Sequence, residues 1–431
     1  MNNSGTWNKI SNSKFSVKYK KQGYIYDDTS RSAFTENTEL LPYFMGFLCS
    51  KVCFTLLKFL NPSMSFTNGD ISRLPYIYSE MHMDKVNELV AYNIEISESD
   101  ESTFEISWEF KKHPYLIYKG NISTLSDSSI CWKLISEERF NQLRANEEEL
   151  NKIFINIYGL ESELTPEVDE IDVTVQKADV ERDIRSFLSY LVGIIFGRYR
   201  LDKLGLAFAG GEFNLDEFGS YKPDKDNIIP ITAEHYFEDD IVSKITELIA
   251  IIYGKDTLNE NLQFIATHLG MKESETAEDT IRRYFMKDFY KDHLKIYQKR
   301  PIYWQFSSGR KGAFKGLMYL HRYDKYTLAR IRTDYVLKLT TTLNQLIEHA
   351  QVIIDGNVSA KEVARARKES EAYEAQLQEL REYNLILKQL ADQEIDLDLD
   401  DGVKVNYEKF QNIPFKKDNG RSETKNLFEK I

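Results

Sequence analysis

Apolar positions recur at helical spacing over residues 40–60, most of 80–165, 179–199, 236–254, 259–270, 278–297, 327–354 and 359–395. Period-two alternation is confined to short stretches. Phe15, Val17 and Tyr19 alternate, "KKQG" turns and "YIYD" returns, which predicts a β-hairpin over 13–27 with Gly23 at the turn. "LLPYFMGFLCSKVCFTLLKFL" (40–60) predicts one apolar helix, stopped at Asn61-Pro62 and followed by a turn at Asn68-Gly69-Asp70. Asp179 is the expected N-cap of the helix over 179–199, and "LGLAFAGGEFN" (204–214) reads as a short strand and turn. Tyr373, Leu377, Leu380, Asn384, Leu387 and Ala391 step alternately by 4 and 3, a coiled-coil-like seam. The polar C-terminal stretch predicts a loose extension. The expected class is α+β. A mixed region over 1–80 is followed by a helical connector (81–178) and a helical region (179–358). A coiled-coil-like helix (359–395) and an extension (396–431) complete the chain.

A chain of 431 residues exceeds one ordinary core, and 42% hydrophobic content supplies more than one. Three cysteines, Cys49, Cys53 and Cys131, form no disulfide framework. No N-terminal signal pattern is present, and the apolar run "FLSYLVGIIFG" (187–197) is too short to span a bilayer. A cytoplasmic protein without membrane partners is expected.

Charge is distributed unevenly. The net charge is −12, yet residues 291–338 hold 12 Lys/Arg against 3 Asp/Glu, a local +9 that leaves −21 elsewhere. At its centre, "KRPIYWQFSSGRKGAFKG" (299–316) contains Lys299, Arg300, Arg310, Lys311 and Lys315 beside Tyr303 and Trp304. Arg322, Lys325, Arg330 and Arg332 follow. Cations neutralise phosphates and aromatic rings stack on bases, so this segment predicts contact with double-stranded DNA. On the hairpin region, Lys14, Lys18, Lys20, Lys21 and Arg31 are further candidate contacts.

Catalytic signatures are missing. "GRKGAFKG" lacks phosphate-loop spacing, and "DLDLDDG" lacks the glycine and glutamate of a calcium loop. No cysteine–histidine set has metal-ligand spacing, so no metal is expected. Asp100, Glu109 and Lys111 form a weak nuclease-like pattern in a chain that is 29% charged.

The segment "KRPIYWQFSSGRKGAFKGLMYLHRYDKYTLARIRTDYV" resembles the C-terminal region of the PglX family, adenine-specific DNA methyltransferases of BREX phage-exclusion systems. "SYLVGIIFGRYRLDKLGLAFAGGEF", "YFEDDIV" and "LDLDDGVKVNYEKFQ" resemble it in the same order. "GFLCSKVCFTLLKFLNPSMSFTNGDISRLP" is similar to target-recognition regions of such enzymes. The resemblance implies a role in restriction–modification-like phage defence, with residues 1–80 reading the DNA target. It also implies S-adenosylmethionine as the family's cofactor, bound upstream beside an N-P-P-Y-type motif. Here "NPSM" at Asn61 lacks the second proline and the aromatic. The expectation is a DNA-recognition and clamp part with no catalytic residue or cofactor of its own, inactive alone. Its partners would be DNA, a separate catalytic half and other BREX proteins. The competing expectation is a protein-interaction module of a defence complex.

Overall fold

The structure, a computed structural model, describes residues 3–11, 14–417 and 420–431. Strands β1 (Ser4–Asn8), β2 (Lys18–Lys20) and β3 (Ser30–Ala33) come first. Helices α1 (Leu40–Leu48), α2 (Lys51–Leu60), α3 (Asn68–Ile71), α4 (Glu80–Glu101), α5 (Pro114–Ile117), α6 (Leu125–Tyr158) and α7 (Val180–Ile195) follow. After β4 (Ile229–Ile231) come α8 (Ile241–Tyr253), α9 (Leu258–His268), α10 (Ala277–Lys287) and α11 (Phe289–Ile296). The hairpin β5 (Tyr303–Ser307) and β6 (Lys315–Tyr319) leads to α12 (Thr327–Arg330), a π-helical stretch (Ile331–Val336) and α13 (Leu337–Asp355). The chain closes with α14 (Ala360–Ala391), α15 (Gly402–Glu408), β7 (Ile413–Lys416) and β8 (Ser422–Lys425). The class is α+β and mainly helical. Two compact units divide it: residues 1–107 with 130–178, and residues 108–129 with 179–431.

In the first unit, β1 is the central strand of an antiparallel sheet ordered β2-β1-β3. The expected hairpin over 13–27 does not form. β2 pairs instead with β1, Ser4 opposite Lys20, and "YIYD" lies outside the strands. Ser13, where that hairpin was to begin, lies outside the described residues. The reason is β1 itself, whose short "SGTWN" shows little alternation. Trp7 is buried and its indole N–H donates to the Phe66 carbonyl at 3.1 Å. Gly5 admits close packing, since a Cβ there would sit 2.9 Å from Val17 and 3.1 Å from Met45. Phe15 and Val17 are buried, so their alternation did mark an inward face.

The apolar stretch 40–60 is two helices bent by 63°, not one. Ser50 makes the break: its Oγ caps the second helix by accepting the Cys53 N–H and donates to the Phe47 carbonyl. Tyr43, Phe47, Val52 and Leu57 pack these helices into a core with Val86, Val90 and Phe154. Among the described residues, no single helix is long and apolar enough to cross a membrane.

In the second unit, Asp179 caps α7 as expected, accepting the Arg182 N–H. Residues 204–214 form no strand. Their backbone folds onto Arg198, whose carbonyl accepts the Ala207 N–H at 2.8 Å, and Gly210 and Gly211 take positive φ. β6 is the middle strand of a sheet ordered β4-β6-β5. Against it pack Leu339 and Leu343 of α13 and Leu380, Tyr383 and Leu387 of α14. The seam positions Leu380 and Leu387 turn inward to this core and Leu377 is buried, while Asn384 accepts the Arg332 Nε–H at 2.9 Å. Ser359 and Glu362 close a capping box at the start of α14.

The C-terminal stretch is not a loose extension. β7 and β8 pair, Leu427 and Phe428 are buried, and Phe428 bridges Phe306 on the β5 edge. The Phe428 ring lies 4.5 Å from that of Phe306 and 5.0 Å from that of Trp304. Few apolar residues in a polar stretch hid this role, because each fills a slot left open by β5. Truncating Phe428→Ala should therefore lower the stability of the second unit by about 3–5 kcal/mol. Denaturant unfolding of the full chain measures it, and a change below about 1 kcal/mol would mean the tail is not part of the core.

Candidate nucleic-acid interface

The basic run 299–316 folds as a strand pair whose middle is buried. Tyr303 and Trp304 have no exposed surface, so neither ring is available to a base; this corrects their assignment as stacking residues. Strand alternation does not rescue them, because the β5 positions Tyr303, Trp304, Gln305 and Phe306 are all covered. Cations are expelled to the two ends of the hairpin. Lys299 and Arg300 are exposed in the turn before β5, with Lys299 at φ +61°. Arg310 and Lys311 are exposed at the tip beyond it. The five-residue strand β5, about 16 Å long, lies between these poles.

The tip is built around Glu379 of α14. This carboxylate is 9% exposed and accepts the Ser308 hydroxyl at 2.7 Å, the Lys311 N–H at 2.7 Å and the Ala313 N–H at 3.1 Å. Ser308 Oγ in turn accepts the Phe314 N–H at 2.9 Å. Gly309 and Gly312 have positive φ, and a Cβ on Gly309 would lie 2.6 Å from Glu379 Oε2. The turn is thus a nest of N–H donors filled from behind by a protein carboxylate. Arg310 and Lys311 project from its outer side, and neither forms an ion pair among the described residues.

The remaining candidates of this segment are anchored within the fold. Lys315 Nζ donates to the Met286 carbonyl at 3.0 Å and pairs with Glu429 at 3.6 Å. Arg322 donates to the carbonyls of Phe196 and Asp224 and lies 3.7 Å over the Phe213 ring; burial pushes its pKa down to about 10. Lys325 pairs with Glu394 at 2.7 Å and Arg330 with Asp324 at 2.8 Å. Arg332 is the Asn384 partner. These side chains hold loops and helices together, which the sequence could not distinguish from surface charge.

On the first unit, Lys14 pairs with Asp172 beside the half-buried Glu147. Lys21 pairs with Glu98 and Arg31 with Asp28, each at 2.9 Å. Lys20 donates to the Ile25 carbonyl at 2.9 Å and stands 4.2 Å over the Tyr26 ring. Lys18 is exposed on β2.

In the two sequence segments that invite comparison with a methyltransferase site, the local geometry is that of a turn and a loop. The Asn61 amide is consumed by its own turn: Oδ1 accepts the Ser63 N–H, and Nδ2 donates to the Ser65 carbonyl and Asp70. Asp70 completes a capping box with Thr67, whose hydrogen bonds hold its carboxyl below the usual range. Residues 207–213 form a loop rather than a strand-to-helix turn. Sequence reading missed one acidic trio. Oxygens of Asp224, Asp226 and Asp239 lie within 4.8 Å of one another, and Tyr335 from the π-helical stretch reaches Asp239 at 2.6 Å and Asp226 at 2.9 Å. Burial, then the charge of Asp226, raises the Asp224 carboxyl. The trio was invisible because its members come from two loops, and the tyrosine that joins them is about 100 residues away.

No family model matches the sequence. The chain is 40% identical over 415 residues, 94% of its length, to the adenine-specific methyltransferase PglX of Lacticaseibacillus casei (strain Zhang). It is 36% identical over 438 residues, 95% of its length, to the adenine-specific methyltransferase BrxX of Escherichia coli O9:H4 (strain HS). It spans 34% and 36% of those relatives. The resemblance seen in the basic segment therefore extends along nearly the whole chain, which is homologous to about a third of these methyltransferases.

Two outcomes follow from the geometry. Replacing Glu379 by Ala strands a hydroxyl and two N–H donors and should cost about 3 kcal/mol, read by denaturant unfolding; an unchanged midpoint would show that the tip is not carboxylate-locked. Burial, then the charge of Asp172, holds the Glu147 carboxyl up at about 7 from an ordinary 4.5, opposed by Lys14. A carboxyl raised in the fold favours its protonated form, so its contribution is complete below about 4.5 and fades as pH climbs to about 7. Glu147→Gln should flatten the fall in thermal midpoint across that window, and an identical pH profile would contradict it.

Proposed function

We propose that these 431 residues form the DNA-recognition and clamp part of a PglX/BrxX-like adenine-specific methylation system acting in phage exclusion. The observation that carries this reading is the hairpin tip. A buried carboxylate fixes the turn, and Arg310 and Lys311 point outward without protein counter-ions among the described residues. A fixed turn spares the entropy of ordering the cations on binding, which is what a backbone-gripping element requires. Lys299 and Arg300, beyond the other end of the five-residue strand β5, would meet a further stretch of the phosphate backbone.

In this reading the first unit, with exposed Lys18 and the loop after β2, lies toward the bases, while the second unit grips the backbone. S-adenosylmethionine and the extruded adenine are handled by a catalytic part corresponding to other portions of the relatives. Methylation would require that part as partner, and other proteins of the exclusion system would assemble with it. Chemistry of this kind belongs in the cytoplasm, where the DNA is.

Duplex binding followed by fluorescence anisotropy over a salt series tests the reading. The full chain should bind duplex DNA with a steep salt dependence. The double variant Arg310→Ala/Lys311→Ala should weaken binding at least tenfold and reduce the log–log slope by about 2. Salt-independent binding, or a double variant with unchanged affinity and slope, would contradict it.

A further inference from the structure

Arg198 lies outside the cation-rich segment 291–338, in "FGRYRLDKLG", which also carries Asp202. In the fold that acid is taken: Asp202 pairs with Arg200, Nε to Oδ1 at 2.8 Å and Nη2 to Oδ2 at 3.0 Å. Arg198 is left among phenols. Its Nε donates to the Tyr199 hydroxyl and its Nη1 to the Tyr319 hydroxyl, both at 3.1 Å. No carboxylate lies within ion-pairing distance of it among the described residues. A half-buried guanidinium is ordinarily paired, because burial of an uncompensated charge is costly.

The surroundings are built to keep this arrangement. Gly193 of α7 leaves room for the Tyr199 ring, since a Cβ there would fall 2.5 Å from Tyr199 Cδ2. The Gly193 carbonyl accepts the Arg198 N–H at 2.8 Å. Tyr319 Oη is held by donating to the Phe208 carbonyl at 3.0 Å. The carbonyl end of α7, the other natural partner for a cation, is already engaged, because Arg322 Nη1 takes the Phe196 carbonyl at 3.0 Å. Nearby imidazoles provide no negative charge. His293 Nε2 accepts the N–H groups of Ile302 and Tyr303, so Nδ1 carries the proton, is buried and meets no acceptor. Burial, then the charge of Arg198, holds His293 down at about 3 and lowers His321.

This cluster carries the exposed cationic turn at the base of the hairpin. The Tyr297 ring is 4.6 Å from that of His293, and the Tyr297 carbonyl accepts the Arg300 N–H at 2.8 Å. Two phenol oxygens orient the guanidinium, and Nη2 retains donors that match the oxygens of a phosphate.

We propose that Arg198, aligned by Tyr199 and Tyr319 at the base of the hairpin, is a phosphate-binding site that takes a phosphodiester of the DNA backbone. This rests on the DNA-binding reading above but concerns the opposite pole of the hairpin. Thermal unfolding of the full chain in sodium phosphate is compared with sodium chloride at equal ionic strength, in wild type, Arg198→Gln and Arg198→Lys. The midpoint should rise with phosphate in wild type, rise less in the lysine variant and not respond in the glutamine variant. An equal rise in all three overturns the site. Duplex affinity forms the second arm: Arg198→Gln should weaken binding about tenfold and lower the salt slope by about 1, with Arg198→Lys nearer wild type. If phosphate stabilises through Arg198 while duplex affinity and slope are unchanged, the site takes a free anion and the backbone contact is refuted. Wild-type protein that binds no duplex at all refutes the DNA reading itself, independently of the phosphate response. Should the glutamine variant not fold, the lysine variant decides alone: a phosphate response and salt slope equal to wild type would overturn bidentate recognition.

Discussion

A single carboxylate, Glu379, joins the longest charged helix of the second unit to the tip of its central hairpin. A carboxyl group so buried is tolerated only when its oxygens are met by hydrogen-bond donors. Ser308, Lys311 and Ala313 meet them, all from one turn. The turn can approach because Gly309 has no Cβ, and it bends because Gly309 and Gly312 accept positive φ. Helix register, hairpin geometry and the direction of Arg310 and Lys311 are thereby one mechanical unit. A free loop of this composition would present the same charges in many directions.

Burial of the hairpin decides where the rest of the charge goes. In the linear sequence, aromatics and cations interleave and suggest a continuous binding stripe. In three dimensions Tyr303, Trp304 and Phe306 join the core, and the cations separate into a tip and a base. The base gains Arg198, which lies outside the cation-rich segment in sequence and which the fold surrounds with hydroxyls. Several other cations become internal ties: Arg322 binds loop carbonyls, and Lys325 and Arg330 pair with carboxylates.

Much of the helical architecture was legible because it rests on local signals. Asp179 and Ser359 begin helices through side-chain caps, and the seam of Leu377, Leu380 and Leu387 marks the buried face of α14. The errors arose mostly where pairing is non-local, and once at a local serine cap. β1 competes for β2 across the N-terminal segment, Ser50 splits a uniformly apolar stretch, and Phe428 reaches back to Phe306. Site residues were least legible of all. Charge type can be read from sequence, but whether Lys14 faces solvent or Asp172 depends on a contact 158 residues away.

The chain is homologous to about a third of two adenine-specific methyltransferases, and the exposed cations at the two ends of its hairpin are proposed to grip DNA. The decisive question is which lysines meet the duplex. Acetylation rates of individual lysines, followed by mass spectrometry with and without duplex DNA, address it directly. Duplex should slow modification of Lys299 and Lys311 several-fold and leave exposed Lys85 and Lys152 unchanged; equal rates at all four with saturating duplex would contradict a DNA grip by the ends of the hairpin.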